Sequence, residues 1–193
     1  MSIETDKFEQ VEIQSAEDLR DWLLENHGQE ESIWLVTYKK SAGHKYVSRW
    51  DVLDELLCFG WTDGIRRKFN EDRTMQFISK RRAEHWAKSY KERVARLEEE
   101  GRMHASGLRS VEVAKANGMW TFMDDVDALI IPNDLEHVLK AVPGAYDFFE
   151  AINPSSKRFV LRWIKLAKTE KTRKNRIEKI ARLSAKGEKL PGS

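Results

Sequence analysis

The chain is predicted to be an α+β protein: a small mixed or antiparallel sheet in the N-terminal half, followed by a helical C-terminal half. Two observations lead there. Strand-like runs are confined to the first eighty or so residues, where they mix with helical patterns, and helical periodicity then takes over. A mixed run of strands followed by a run of helices argues against a doubly wound parallel sheet.

The elements follow in order. Val11 and Ile13 alternate within Phe8 to Ile13, which predicts a short strand. Ser15-Ala16-Glu17-Asp18 reads as a capping-box variant with Ser15 as N-cap. Leu19, Trp22, Leu23 and Asn26 then recur at helical spacing, and Gly28 can stop that helix. Ser32 to Tyr38 is β-branched and aromatic on both faces, so it reads as an inner strand before a turn at Ser41-Ala42-Gly43. Ser48 repeats the cap pattern. The helix after it turns Val52, Leu53, Leu56 and Leu57 inward and ends near Phe59-Gly60.

Trp61 to Phe69 and Thr74 to Ser79 read as a hairpin around the polar turn Asn70-Glu71-Asp72-Arg73. Ala83 to Glu100 reads as a helix with Trp86, Tyr90, Val94 and Leu97 on one stripe, supported by the pairs Glu84 to Lys88 and Glu92 to Arg96, and ended by Gly101. Ser106 to Asn117 is a second helix, closed by Gly118, and Trp120 to Pro132 a connecting loop with an acidic patch at Asp124, Asp125 and Asp127. Pro132 suits the first turn of a helix that buries Leu135, Val138 and Leu139. A short aromatic helix spans Tyr146 to Ile152. Asn153-Pro154 then starts a helix with Phe159, Val160, Trp163, Ile164 and Ala167 on one face. The last helix runs from about Glu170 to Ala185 with Ile177, Ile180 and Ala181 inward, and Pro191-Gly192-Ser193 is expected to be disordered. The resulting division is an α+β core over residues 1–120 and a helical part over 121–190 packed on it.

The single cysteine excludes an intrachain disulfide and suits a reducing compartment. Met1 to Lys7 lacks the apolar stretch of a secretory signal, and no apolar run reaches the ~20 residues needed to span a bilayer. The expectation is a cytoplasmic protein without membrane insertion. Charge is uneven: residues 155–190 hold thirteen Lys/Arg against three acids, a net +10, and the remainder nets −8. The basic end either docks on the acidic body or meets an anionic partner.

Candidate chemistry is sparse. The five histidines make no metal-binding spacing, so neither metal nor other cofactor is expected. Cys58, near the C-terminal end of a helix, reads as a buried small hydrophobe, because the dipole there disfavours a thiolate. Asp63 is either an acid–base group beside Trp61 or an Asp-Gly turn residue. Lys80, Arg81 and Arg82, with Arg66 and Arg67 on the facing strand, form a basic cluster near Trp61 and Trp86. It is either an anion site or a charged sheet edge protected against aggregation. The candidate ligand residues are therefore Trp61, Asp63, Arg66, Arg81 and Trp86. On the last helix Arg173, Lys174, Arg176, Lys179 and Arg182, with Lys171, could contact a polyanion. Six phosphate contacts would give a salt slope of about −5 on duplex DNA, but no recognition motif accompanies them.

Leu57-Cys58-Phe59-Gly60-Trp61-Thr62-Asp63-Gly64 resembles the signature of the YdeI/OmpD-associated, or bacteriocin-protection, family. Supporting similarities run from Trp34 and Lys39-Lys40 through Arg81, Trp86, Glu92-Arg93-Val94 and Gly101-Arg102-Met103 to Trp163-Ile164, Ala167-Lys168 and Arg176-Ile177. Ser79 and Lys80 stand where the family pattern has Pro and Arg, Glu84 and Ala87 replace its two serines around Trp86, and Ile65 replaces a Gln. A role for those hydroxyls does not carry over. The resemblance implies a stress or antimicrobial-peptide protection factor with no established catalysis. Its partner is then a small anion or a protein. The alternatives are an anion-binding enzyme at Trp61/Asp63/Arg81 and a nucleic-acid binder through the C-terminal helices.

Overall fold

The computed structural model describes residues 7–82 and 84–193. The expectation about a leader concerns residues 1–6, outside that set. The chain forms two compact units, one ending at Thr121 and the other covering Phe122–Ser193.

The first unit contains a four-stranded mixed sheet. Its strands are β1 (Gln10–Glu12), β2 (Ile33–Tyr38), β3 (Trp61–Lys68) and β4 (Arg73–Lys80), in the order β1-β2-β4-β3. β1 runs parallel to β2, while β2 and β3 both pair antiparallel with β4. β2 is apolar on both faces because both faces are covered. Ile33 and Leu35 enter the main core with Ile78, while Trp34 and Val36 meet Met75, Phe8, Phe69 and Phe77 on the other side.

Helix α1 (Ala16–Asn26) begins where Ser15 Oγ accepts the Asp18 N–H, and α2 (Arg49–Phe59) where Ser48 Oγ accepts that of Asp51. Each cap satisfies one of the donors that a helix start leaves unpaired. α1 ends at His27 in right-handed backbone, so Gly28 does not terminate it through a left-handed turn. Between β2 and α2 the chain makes a 3-10 turn over Lys40–Lys45. α2 is buried from Val52 to Phe59 and stops at Gly60, whose φ of 74° only glycine adopts cheaply. β3 starts at the next residue. Its pairing with β4 shifts between Asp63 and Arg66, a bulge that leaves Gly64 against the Phe77 carbonyl. Asn70 Oδ1 closes the hairpin by accepting the N–H groups of Asp72 and Arg73.

The next helix is shorter than its periodicity suggests. Helix α3 spans Lys88–Glu99, and residues 84–87 before it are not helical; Ala83 lies outside the described residues. The reason is Trp86, which is 1% exposed and donates its backbone N–H to Met119 O, so it enters the core ahead of the helix. Glu84 therefore lies outside the helix expected to set it one turn before Lys88. Lys88 meets Glu92, and Arg96 meets Glu100 and Asp54. Gly101 ends this stretch and Gly118 ends α4 (Ala105–Ala116), both with positive φ.

The second unit is helical. A short helix, α5 (Asp124–Asp127), lies within the expected loop, and its acids pair locally, Asp125 with Lys165 and Asp127 with Arg158. Pro132 is the N-cap of α6 (Asn133–Ala141), one position before its expected place. α7 (Ala145–Ala151), α8 (Pro154–Lys165) and α9 (Glu170–Ala185) follow, with Asn153 capping α8 through Ser156. The unit has its own core, including Leu135, Leu139, Phe149, Val160, Ile164, Ile177 and Ile180. Phe159 departs from the expected face at 43% exposed, and Leu161 is buried in its place. The C-terminus is ordered around the buried Leu190, whose carbonyl accepts the Ser193 N–H.

No helix among the described residues is long and apolar enough to cross a membrane.

Candidate functional site

The five residues singled out near the hairpin divide between the core and a polar network. Trp61 is fully buried, packs edge-on against Trp22 and donates its indole N–H to His27 O at 3.1 Å. It is a core residue. Asp63 Oδ1 accepts the Tyr90 hydroxyl at 2.6 Å, and its other oxygen lies 3.4 Å from Gln76 Nε2. Gln76 Oε1 in turn accepts from Arg66 at 2.7 Å. This chain of polar groups bridges the bulge in β3 and fixes Asp63 as an acceptor. Arg67 turns to the other face of the sheet, over the Trp34 ring at 5.1 Å. The hairpin therefore does not gather both arginine pairs into one patch.

Arg81 is the exception. Its guanidinium stacks on Trp86 at 3.9 Å and donates to His85 O at 3.1 Å, while Nε is buried without a partner. Burial holds this group below its ordinary pKa, against the raising pull of Glu84, Tyr90 and Asp63. No carboxylate among the described residues forms an ion pair with it.

Arg81 is one of the residues lining a cavity of about 440 Å³, with His27, Lys80, Arg82, His104 and Arg109. No Asp or Glu among the described residues lines it, although Lys80 pairs outside it with the exposed Glu30. Beside the cavity α2 and α4 approach each other through glycine. A Cβ on Gly107 would sit 2.1 Å from the Cys58 carbonyl oxygen, and one on Gly60 3.0 Å from Ser106 O. Part of the Leu57–Gly64 signature is thus a backbone junction that sets the first turns of α4 beside the β4 terminus.

Both histidines are held through Nδ1. His27 Nδ1 faces Leu23 O, which can only accept, so Nδ1 carries a proton. His104 Nδ1 caps α4 at 3.2 Å from the Ser106 amide nitrogen and also lies 2.9 Å from Ser106 Oγ. The rings meet edge-on at 4.6 Å, and His104 stacks on Phe59. Burial, then the neighbouring His27 and Arg20, hold His104 below the usual histidine range. The cavity thus places two imidazoles beside its cations. Scattered in sequence, these histidines gave no signal of their own; only the fold of α1 toward α4 joins them.

Cys58 lies beneath this junction. Burial, then Glu55, push its thiol up to about 11, so it is protonated at neutral pH. Among the described residues no group of three or more His, Cys, Asp or Glu could hold a metal ion.

The five polyanion candidates on α9 are also divided. Arg173 makes a two-point contact with Asp134, and Arg176 donates to Trp163 O and stacks on that ring. Lys179 lies 5.7 Å from the same ring, while Lys174 and Arg182 are exposed. The stripe is interrupted where Arg173 and Arg176 serve the packing of the helix.

Two family models match the chain. One, described as a domain of unknown function (DUF8412), covers residues 11–110. The other, described as bacteriocin-protection, YdeI or OmpD-associated, covers residues 128–187. The Leu57–Gly64 segment thus falls within the first, while the Trp163–Ile177 similarities fall within the second. No curated protein and no solved structure matches the chain.

Proposed function

Since the chain belongs to the family of domains of unknown function DUF8412, we propose that it is a small-anion-binding protein whose ligand sits in the cavity beside α4. The carrying observation is Arg81, a half-buried residue whose guanidinium has no ion-paired carboxylate among the described residues and which lines a cavity together with Lys80, Arg82, Arg109 and two histidines. A desolvated charge is costly unless it is paired. An oxyanion in this cavity would supply the partner, in the forked geometry that Arg matches best. Asp63 does not line the cavity and its oxygens are engaged, which favours binding over acid–base chemistry.

The YdeI/OmpD-associated match over residues 128–187 supports placing that binding in a bacteriocin or antimicrobial-peptide protection factor. Two measurements test the reading. Phosphate, sulfate or acetate at millimolar concentration should raise the thermal midpoint, since binding to the native state alone stabilises it. Arg81→Gln should remove the rise. Because Arg81 also anchors the segment before α3, Arg109→Gln on the exposed face of α4 is the companion variant and should reduce the rise without lowering the basal midpoint. An unchanged midpoint with every anion would reject the proposal. In a bacterial host, expression should improve survival under a cationic antimicrobial peptide, and Arg109→Gln should diminish that benefit.

A further inference from the structure

We infer that the anion taken by this cavity carries an elongated apolar substituent, such as an aryl or alkyl phosphate or carboxylate. This rests on the anion-binding reading above and adds the rest of the ligand. The α4 residues lining the cavity run from Ala105 to Asn117, at positions that recur on one face of the helix. The twelve steps from Ala105 to Asn117, at a rise of about 1.5 Å each, make a trough of roughly 18 Å, several times longer than a bare oxyanion. Its volume of about 440 Å³ also lies within the range of ~300–1,000 Å³ that holds whole small molecules.

The chemistry changes along the trough. Near the start of α4 lie His104, Ser106 and Arg109. One turn beyond Arg109 the same face offers Val113 and Ala114, and ends on the uncharged Asn117. Val113 is 51% exposed, an apolar side chain at the cavity wall that solvent now covers. A ligand with its charge among Arg81, Arg109 and the histidines would therefore lay an apolar body along Val113 and Ala114. The His27 and His104 rings line the same end of the trough.

The test titrates the full chain with inorganic phosphate, phenyl phosphate, acetate, phenylacetate and benzyl alcohol by calorimetry. Phenyl phosphate or phenylacetate should bind at least about tenfold tighter than the corresponding bare ion, a difference of ~1.4 kcal/mol. The two ring-bearing anions together decide whether the head group is phosphate or carboxylate. Val113→Ser should erase most of the tenfold gain while leaving the affinity for the bare ion unchanged. If bare ions bind and the aryl anions bind no tighter, the substituent is refuted and the anion site stands. If benzyl alcohol binds as tightly as the anions, or nothing binds, the anion site itself is refuted and this inference falls with it.

Discussion

At the scale of single residues the sequence marked several positions whose meaning only contacts could supply. Gly107 is the sharpest case. In a helix interior, Ala usually stabilises relative to Gly by about 0.5–1 kcal/mol. Here an added Cβ meets the Cys58 carbonyl oxygen at 2.1 Å, and that oxygen belongs to backbone that cannot rotate away. We expect Gly107→Ala to lower stability by about 1–3 kcal/mol, the usual range for overpacking. Gly28→Ala, where a Cβ would meet nothing within 4 Å, serves as control. Urea denaturation of both variants decides the point; a Gly107→Ala midpoint at or above wild type would mean that α2 and α4 are not held at this distance. Trp86 shows the reverse problem. Its apolar spacing with Tyr90, Val94 and Leu97 was legible, but the hydrogen bond to Met119 O that draws it out of the helix was not. The histidines of the cavity were invisible for a related reason: 77 positions separate His27 from His104, and no local pattern links them.

At the scale of elements, caps and turns read well because their causes lie within four residues. Ser15, Ser48 and Asn153 each bond the N–H three positions ahead. What holds α2 was not legible, because its polar partners come from distant segments. Asp54 is bound by Arg93 and Arg96, and Glu55 by Arg20 and Arg102, all 35 to 47 positions away. The apolar periodicity of α2 gave no reason to place two consecutive acids inside, yet Glu55 is 3% exposed. Removing one member of a buried ion pair costs about 3–5 kcal/mol when the stranded charge stays dry. Here both arginines keep about a third of their side-chain surface in solvent and can rehydrate. We therefore expect Glu55→Gln to cost about 2–3 kcal/mol, below that range. Urea melts at low and high salt would show it, with little dependence on salt because the carboxylate is shielded from ions. A loss under about 0.5 kcal/mol would place these contacts among solvated surface pairs, which contribute little.

At the scale of the whole molecule, the +10 of residues 155–190 looked like one undivided feature, and the packing separates it into two populations. Lys157, Arg158, Lys165, Arg173 and Arg176 are bound by Glu150, Asp127, Asp125, Asp134 and Trp163 O, all within the second unit. Lys171, Lys174, Lys179 and Arg182 stay on the outer side of α9. Surface pairs contribute about 0–1 kcal/mol each, so the fold of this unit must rest mainly on its apolar set. That set comes entirely from residues 123–190: Met123, Val126, Leu135, Leu139, Phe149, Val160, Leu161, Ile164, Ile177, Ile180 and Leu190, with smaller side chains between them. A unit of this size is near the lower limit at which one core suffices. The apolar faces of α6 to α9 nonetheless close on one another. We therefore expect a fragment of residues 122–193 to be helical by circular dichroism, to melt cooperatively, and to protect the amides of 155–185 from exchange without any partner. If those amides exchange fast and slow only when DNA or RNA is added, α8 and α9 would be a polyanion-binding arm, and the buried Ile164, Ile177 and Ile180 would need another explanation.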